Sequence, residues 1–318
     1  MNRRDKEEPV KILISDETDD RVGVDLLDRL DGADVVTYDP TATELDQSQR
    51  AAEIMIPPYR GSHRPLELLS QLPHLRMVQL LSAGSDEWAP YVPGHVMLAS
   101  GRGGHAHAVS EWILSAILCQ YRGWPSLLNY QHDGVWAHRK VEADTVAGKK
   151  TLIVGAGHIG LAAAKRLQLM DAEVTLVGRI AREGVHTAAD LPALVPDHDI
   201  VVIAAPLTTS TRGLFGKNML ATMPDGSLLV NAGRGEIIDT DALLLELNAG
   251  RLRAALDVTD PEPLPAGHPL YTAPGVIISP HMSRTVPGTN ERCYQVAAEQ
   301  VATFLAGCTP SNAVLDRQ

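Results

Sequence analysis

Hydrophobic positions in this chain come in short continuous runs, with little of the strict alternation of a half-exposed sheet. VKILIS (10–15), ADVVTY (33–38), AAEIMI (51–56), LRMVQLL (75–81) and HVMLAS (95–100) predict five short buried strands. Helix-spaced segments such as Val22–Leu30 and Leu66–Leu72 lie between some of them. Continuous runs belong to strands covered on both faces, which points to a mostly parallel sheet in an α/β unit. A second series then predicts six strands: TLIV (151–154), EVTLV (173–177), DIVVIAA (199–205), SLLVNA (227–232), LRAALDV (252–258) and GVIIS (275–279). Helices fill its gaps, notably Ile159–Met170 and Asp241–Ala249.

Between the two series, GRGGHAHAVSEWILSAILCQY (101–121) starts in glycines and becomes a long, mostly apolar helix. A loop-rich stretch with Trp124, Tyr130 and Trp136 follows, up to Lys150, and reads as a domain seam or a subunit contact. Thr289–Ala306 is one amphipathic helix. It arrives when the second sheet is already complete, so it is predicted to pack back on the first domain. No internal repeat stands out.

Composition narrows the class. A chain of 318 residues, 44% hydrophobic and 21% charged, can bury a sizeable core in one large or two ordinary domains. The formal net charge of −11 argues against a nucleic-acid partner, whose phosphates call for a basic face. MNRRDKEEPVKILIS is charged and holds no apolar run of signal-peptide length, and the longest aliphatic stretch, Trp112–Cys119, is too short to cross a bilayer. Three cysteines, Cys119, Cys293 and Cys308, show neither paired nor metal-like spacing, which fits a reducing compartment and predicts no metal site. A soluble cytoplasmic protein with no membrane partner is expected.

Candidate chemistry begins at Gly155-Ala156-Gly157-His158-Ile159-Gly160. The pattern is weak alone, but here a strand enters it, a helix leaves it and another strand follows. Glycines there allow a tight turn, backbone approach to a pyrophosphate and close helix packing, while N–H groups at His158 and Ile159 face the phosphates. An acidic residue about twenty positions on normally meets the adenosine ribose. LVGRIAR (176–182) offers Arg179 and Arg182 instead, with Gly178 leaving room for a larger ribose phosphate. NADP is therefore expected in preference to NAD; the other reading leaves both arginines solvated and either cofactor usable.

Ligands in open parallel sheets bind beyond the carboxyl ends of the strands. Those ends carry, in turn, the glycine loop, Arg179, Ala205-Pro206, Ala232-Gly233-Arg234, Asp257 with Glu262 beyond it, and Pro280-His281. An arginine, a carboxylate and a histidine at one rim are what carbonyl reduction of an anionic substrate needs. Each alone has an ordinary reading, as a surface arginine, a loop acid or one of twelve histidines. Their convergence on consecutive strand ends is the signal.

VGAGHIG (154–160), VNAGRGEIIDTDAL (230–243), AALDVTDPEPLPAGHPL (254–270) and VIISPH (276–281) together resemble the D-isomer-specific 2-hydroxyacid dehydrogenase family over nearly the whole chain. The resemblance implies two doubly wound parallel-sheet α/β domains, a Rossmann cofactor domain inserted into a flavodoxin-like substrate domain. The boundaries expected are 1–101 and 286–318 for the substrate domain and 102–285 for the dinucleotide-binding domain. It implies Arg234, Glu262 and His281 as the catalytic trio. LLSAGSDEW resembles the family's substrate-carboxylate loop and implies Ser82, Ala83 and Gly84 as substrate contacts, with Arg234 and His281. PLTTSTRGL resembles its cofactor-side loop and implies Pro206 and Thr211 near the dinucleotide, alongside Ala232, Gly233 and Asp257. It also implies a homodimer joined through roughly 101–150. His281 would serve as general acid/base, Glu262 would orient it and favour the charged imidazole, and Arg234 would hold the carboxylate and polarise the carbonyl.

The activity implied is hydride transfer between NAD(P)H and a small 2-oxo acid or D-2-hydroxy acid, glyoxylate or hydroxypyruvate being the first guess. Phosphite or formate oxidation is a weaker enzymatic rival, and a dinucleotide-sensing binding protein acting through protein partners is the alternative from another class. One departure stands out. Family members follow the histidine with a small glycine-containing turn, whereas this chain reads His281-Met282-Ser283-Arg284. Arg284 is either a solvent-facing arginine on a hinge or a handle for a second anionic group on a longer substrate.

Overall fold

A computed structural model describes residues 8–59 and 64–315. The chain forms two compact units, one of Met1–His105 with Val286–Gln318 and the other of Ala106–Thr285.

In the first unit, β1 (Val10–Ser15), β2 (Ala33–Tyr38), β3 (Ile54–Ile56), β4 (Met77–Gln79) and β5 (Met97–Ala99) form one sheet in the order β2-β1-β3-β4-β5. All its strand pairs are parallel. This is the flavodoxin-like doubly wound order. α1 (Arg21–Leu27) and the short α2 (Gln47–Arg50) follow β1 and β2. Successive strand residues are buried on opposite faces. Leu13, Met55, Val78 and Leu98 join one core, and Ile12, Ile14, Ile54, Ile56 and Met77 the other. Both faces are covered, which is why the runs read as continuous. Several runs prove longer than the strands they contain: Glu53 already pairs through its backbone with Lys11 and Met77, but regular strand begins only at Ile54. The helix expected at 66–72 is a tight 3-10 helix, Leu66–Gln71.

The second unit opens with α3 (Ala106–Tyr121) and α4 (Trp124–His132). The glycines before α3 stay with the first unit, where a Cβ at Gly101 would lie 2.3 Å from the Leu81 carbonyl oxygen and one at Gly104 2.6 Å from Cys293 Sγ. α4 corrects the expectation of a loop-rich stretch. Gly123 in the left-handed conformation and Pro125 in the first turn start this helix, but none of its residues is buried, so no apolar stripe announces it.

The sheet of this unit comprises β6 (Lys150–Val154), β7 (Glu173–Gly178), β8 (Val185–Thr187), β9 (Ile200–Ile203), β10 (Leu228–Asn231), β11 (Arg253–Leu256) and β12 (Val276–Ile278). Their order is β12-β11-β10-β9-β6-β7-β8, all parallel. Winding reverses between β6 and β9, as in a Rossmann sheet. β8 is a seventh strand beyond the six expected; three residues with only Val185 buried carry too little pattern to be read. α5 (His158–Gln168), the short α6 (Leu191–Leu194), α7 (Lys217–Thr222) and α8 (Thr240–Asn248) supply the covering helices. Leu152, Val201 and Leu229 face one core, while Ile153, Val202 and Val230 face the other with α3 and α5.

Beyond it the chain returns to the first unit as α9 (Thr289–Leu305), which buries Cys293, Tyr294, Ala297 and Val301 against β1 and β3 residues and Leu27 of α1. No helix among the described residues is long and apolar enough to cross a membrane.

Candidate active site

The carboxyl rim of the second sheet gathers most of the expected residues. At the end of β6 the three glycines have different steric needs. Gly155 has φ +119°, and a Cβ on it would lie 2.5 Å from the Ala204 carbonyl carbon. At Gly160 a Cβ would fall 1.9 Å from the Gly155 oxygen, so only glycine lets α5 sit this close to the turn. Gly157 faces open space, with nothing within 4 Å of its Cβ position. It precedes α5 with no side-chain cap, so amides in the first turn, at His158 and Ile159, lack helical acceptors. A crowded first and third glycine, an open second one and free helix N–H groups fit the diphosphate of a dinucleotide.

At the end of β7, Arg179 is exposed, and Arg182 bends back so that its Nη2 donates to the Ala156 carbonyl at 2.9 Å. Reciprocal backbone bonds with Val185 hold Arg182 in place, at 3.2 and 2.8 Å. Among the described residues neither guanidinium has a carboxylate partner. Gly178 serves differently from the expectation. The space beside it is taken by Val185 Cγ1 at 3.0 Å and Ala156 Cβ at 3.5 Å, so the missing side chain admits β8 and the glycine turn rather than holding a vacancy.

Beyond β9, Thr211 closes its own loop, its hydroxyl donating to the Pro206 carbonyl at 2.8 Å and accepting the Thr208 amide at 2.8 Å. After β10, Ala232 bonds the Ile203 carbonyl, and a Cβ on Gly233 would lie 2.7 Å from the Ala205 oxygen. The ends of β6, β9 and β10 therefore form one continuous rim. Asn231 shapes the turn that presents Arg234, its amide bonding the Arg234 carbonyl at 2.9 Å and accepting the Gly233 amide at 3.0 Å. Gly235 lies flat against the backbone of Thr259, 2.0 Å from its oxygen at the Cβ position, bracing the Arg234 turn on the segment that leads to Glu262.

Glu262 and His281 meet: Nδ1 of the imidazole stands 2.5 Å from Oε1 of the carboxylate. Both are partly open to solvent, at 33% for the His281 side chain and 40% for Glu262. Burial works against the Glu262 charge, yet the His281 hydrogen bond, the His281 and Arg234 charges and the Thr259 amide outweigh it and hold this carboxyl below the usual glutamate value. A carboxylate on Nδ1 leaves Nε2 as the nitrogen that exchanges a proton with a ligand. Arg234 donates to its neighbour's Gly233 carbonyl at 2.9 Å and bears electrostatically on Glu262, so the three expected residues share one neighbourhood.

His281 itself is left-handed, with φ +49°. That conformation costs a non-glycine residue about 1–2 kcal/mol, and the surroundings must impose it. Asp257 imposes it. This side chain is 2% exposed and accepts from the Ser279 hydroxyl at 2.6 Å, the Met282 amide at 2.9 Å and the Ser283 amide at 3.1 Å. Ser279, Ser283 and Asn231 were not singled out in the sequence. Their only signal was polar residues at the ends of apolar strands, and short polar residues there are ordinary. Ser82, Ala83 and Gly84 belong to the first unit, where the Ser82 hydroxyl donates to the Gly84 carbonyl at 2.7 Å and folds the loop on itself.

Residues 114–283 match the model of the D-isomer specific 2-hydroxyacid dehydrogenase NAD binding domain. The chain is 30% identical over 257 residues to a glyoxylate reductase of Thermofilum pendens, covering 77% of this chain and 76% of that one. It is 30% identical over 286 residues to a glyoxylate/hydroxypyruvate reductase B of Serratia proteamaculans, with 85% and 86% covered. A solved D-isomer specific 2-hydroxyacid dehydrogenase of Xanthobacter autotrophicus, in complex with NADPH and MES, superposes with a TM-score of 0.83 at 25% identity, covering 98% and 99% of the two chains. The chain belongs to the D-isomer specific 2-hydroxyacid dehydrogenase family. It is an oxidoreductase with a nicotinamide-dinucleotide-binding domain.

Proposed function

We propose that this enzyme reduces a small 2-oxo acid of the glyoxylate or hydroxypyruvate type to the D-2-hydroxy acid, reversibly, with His281 as acid/base and NADPH as preferred cofactor. The single observation that carries the reading is the 2.5 Å contact between His281 Nδ1 and Glu262, on the same strand-end rim as Arg234 and the glycine turn. The nicotinamide supplies hydride transfer when bound. His281, charged through its Glu262 partner, donates its Nε2 proton to the carbonyl oxygen as that oxygen gains negative charge, and takes a proton from the alcohol in the reverse direction. The Arg234 guanidinium grips the substrate carboxylate and polarises the carbonyl. Amides of the Ser82–Gly84 loop provide the further carboxylate contact that the family resemblance implies.

The unit Ala106–Thr285 serves as dinucleotide-binding domain and the other unit as substrate domain. Gly155, Gly157 and Gly160 with the amides of His158 and Ile159 hold the diphosphate, and the segments at Pro206–Thr211 and Ala232–Gly233 flank the dinucleotide. Arg182, tethered over the glycine turn, and the unpaired charge of Arg179 suit a 2′-phosphate. A homodimer through roughly 101–150 is part of the same reading, supported by the exposure of Trp124, Leu128 and Trp136.

The test is a panel of 2-oxo acids run with NADPH and NADH, in wild type and Arg179→Asp. Wild type is expected to oxidise NADPH with short 2-oxo acids and to favour it over NADH. A charge-assisted contact is worth roughly 1.5–3 kcal/mol, so the substitution is expected to lower that preference by about tenfold or more. No turnover across the panel would overturn the activity, and an unchanged cofactor ratio would remove Arg179 from phosphate recognition.

A further inference from the structure

We propose that Asp257 is a positioning residue for proton transfer: its carboxylate clamps the turn that aims the His281 ring, and it is spent there rather than on the cofactor ribose. The proposal rests on the reading of His281 as the proton-transfer group.

Three observations converge. The chain provides no glycine after the histidine, and His281 takes the left-handed conformation itself, at φ +49°; among the described residues only Arg139 and Asp171 are other non-glycine cases. Every hydrogen bond that fixes this turn ends on Asp257 or its neighbour in space. The His281 amide donates to the Asp257 carbonyl at 2.7 Å and to the Ser279 carbonyl at 3.0 Å. One carboxylate oxygen accepts from Ser279 Oγ at 2.6 Å, the Met282 amide at 2.9 Å and the Ser283 amide at 3.1 Å, and the other accepts the Ser283 amide at 3.1 Å. Consecutive backbone amides converging on one anion form a nest, which compensates a buried charge without a basic side chain. Asp257 is 2% exposed, and among the described residues no lysine or arginine is ion-paired with it.

The chemistry calls for a carboxylate. An ionised Asp accepts at both oxygens, whereas Asn would turn an N–H₂ donor toward one of the donors it must receive. Loosening the nest would let His281 leave its left-handed pose, and the imidazole would lose both its aim and its alignment with Glu262. Supporting contacts of this kind are commonly worth about 10–100-fold in activity.

The measurement is Asp257→Asn, with kcat per folded enzyme, the pH profile of kcat and the dissociation constant for NADPH determined together. The expected result is a kcat lower by about 10–100-fold, a displaced limb in the pH profile, and NADPH affinity within about twofold of wild type. A cofactor affinity lost in proportion to activity would overturn the proposal in favour of a ribose contact. An unchanged kcat and pH profile per folded molecule would reduce Asp257 to a stabilising residue and overturn it equally. Ser279→Ala and Ser279→Thr keep the test decisive if Asp257→Asn does not fold. Loss of the clamp hydroxyl is expected to lower kcat several-fold without weakening NADPH binding, and Thr, which retains the hydroxyl, to restore it; equal activity in both would contradict the clamp. His281→Ala separates the two layers, because turnover surviving that change would fell the acid/base reading itself, while its loss beside a normal Asp257→Asn would fell only the positioning role.

Discussion

Glu262 does two things at residue scale that pull in opposite directions. It is accessible enough to pay a modest desolvation cost, and close enough to His281 and Arg234 for its charge to be held. Its folded-state value is depressed, so the stability it contributes is present above the ordinary glutamate range and is lost as pH falls through the depressed value. Catalytically its charge matters more. Glu262→Gln keeps the shape and removes the anion beside Nδ1, so the imidazole keeps its proton less readily. The alkaline limb of the pH profile for 2-oxo acid reduction is expected to move to lower pH, with a milder loss of kcat than His281→Ala gives. Steady-state rates across pH check this, and an unshifted limb would contradict the pairing as a source of the histidine's charge. The strand-end residues were legible because a parallel sheet places every loop that follows a strand on one rim. What Gly178 and Asp257 do was not legible, since both depend on which segment folds back over them: β8 onto one, the 279–283 turn onto the other.

Elements show the same division between pattern and packing. Strands covered on both faces announced themselves through continuous apolar runs, and α9 through its amphipathic stripe. α4 was missed because all its residues are at least partly exposed and no apolar face recurs. The pairing of α9 with α1 hinges on a residue that sequence rules would count as a flaw. Gly23 lies inside α1, where glycine costs about 1 kcal/mol relative to alanine. A Cβ there would fall 2.2 Å from Cε1 of Tyr294, whose ring is fully buried on α9. Gly23→Ala is therefore expected to destabilise the enzyme by about 1–3 kcal/mol, as overpacking does, in spite of the better helix propensity. Denaturant midpoints measure it, and a midpoint that rises would show that the ring yields and that propensity wins.

For the whole molecule, the two parallel sheets and their strand orders follow from rhythm alone, and the glycine turn, the arginines and the trio sit where a parallel sheet must put them. The interruption of one unit by the other was not carried by rhythm, which is alike in both halves; the C-terminal helix, surplus to a finished sheet, was the one local clue. Fold and family establish an oxidoreductase, and the chemistry assigned to it stands on the His281–Glu262 pair. The most direct measurement is turnover of NADPH with a short 2-oxo acid in His281→Ala, taken beside the NADPH dissociation constant of the same variant. General acid catalysis contributes about 10²–10⁴-fold, so turnover is expected to fall by that order while cofactor affinity stays within severalfold. A variant that keeps near-wild-type turnover, or that loses turnover only in step with cofactor binding, would contradict the assignment.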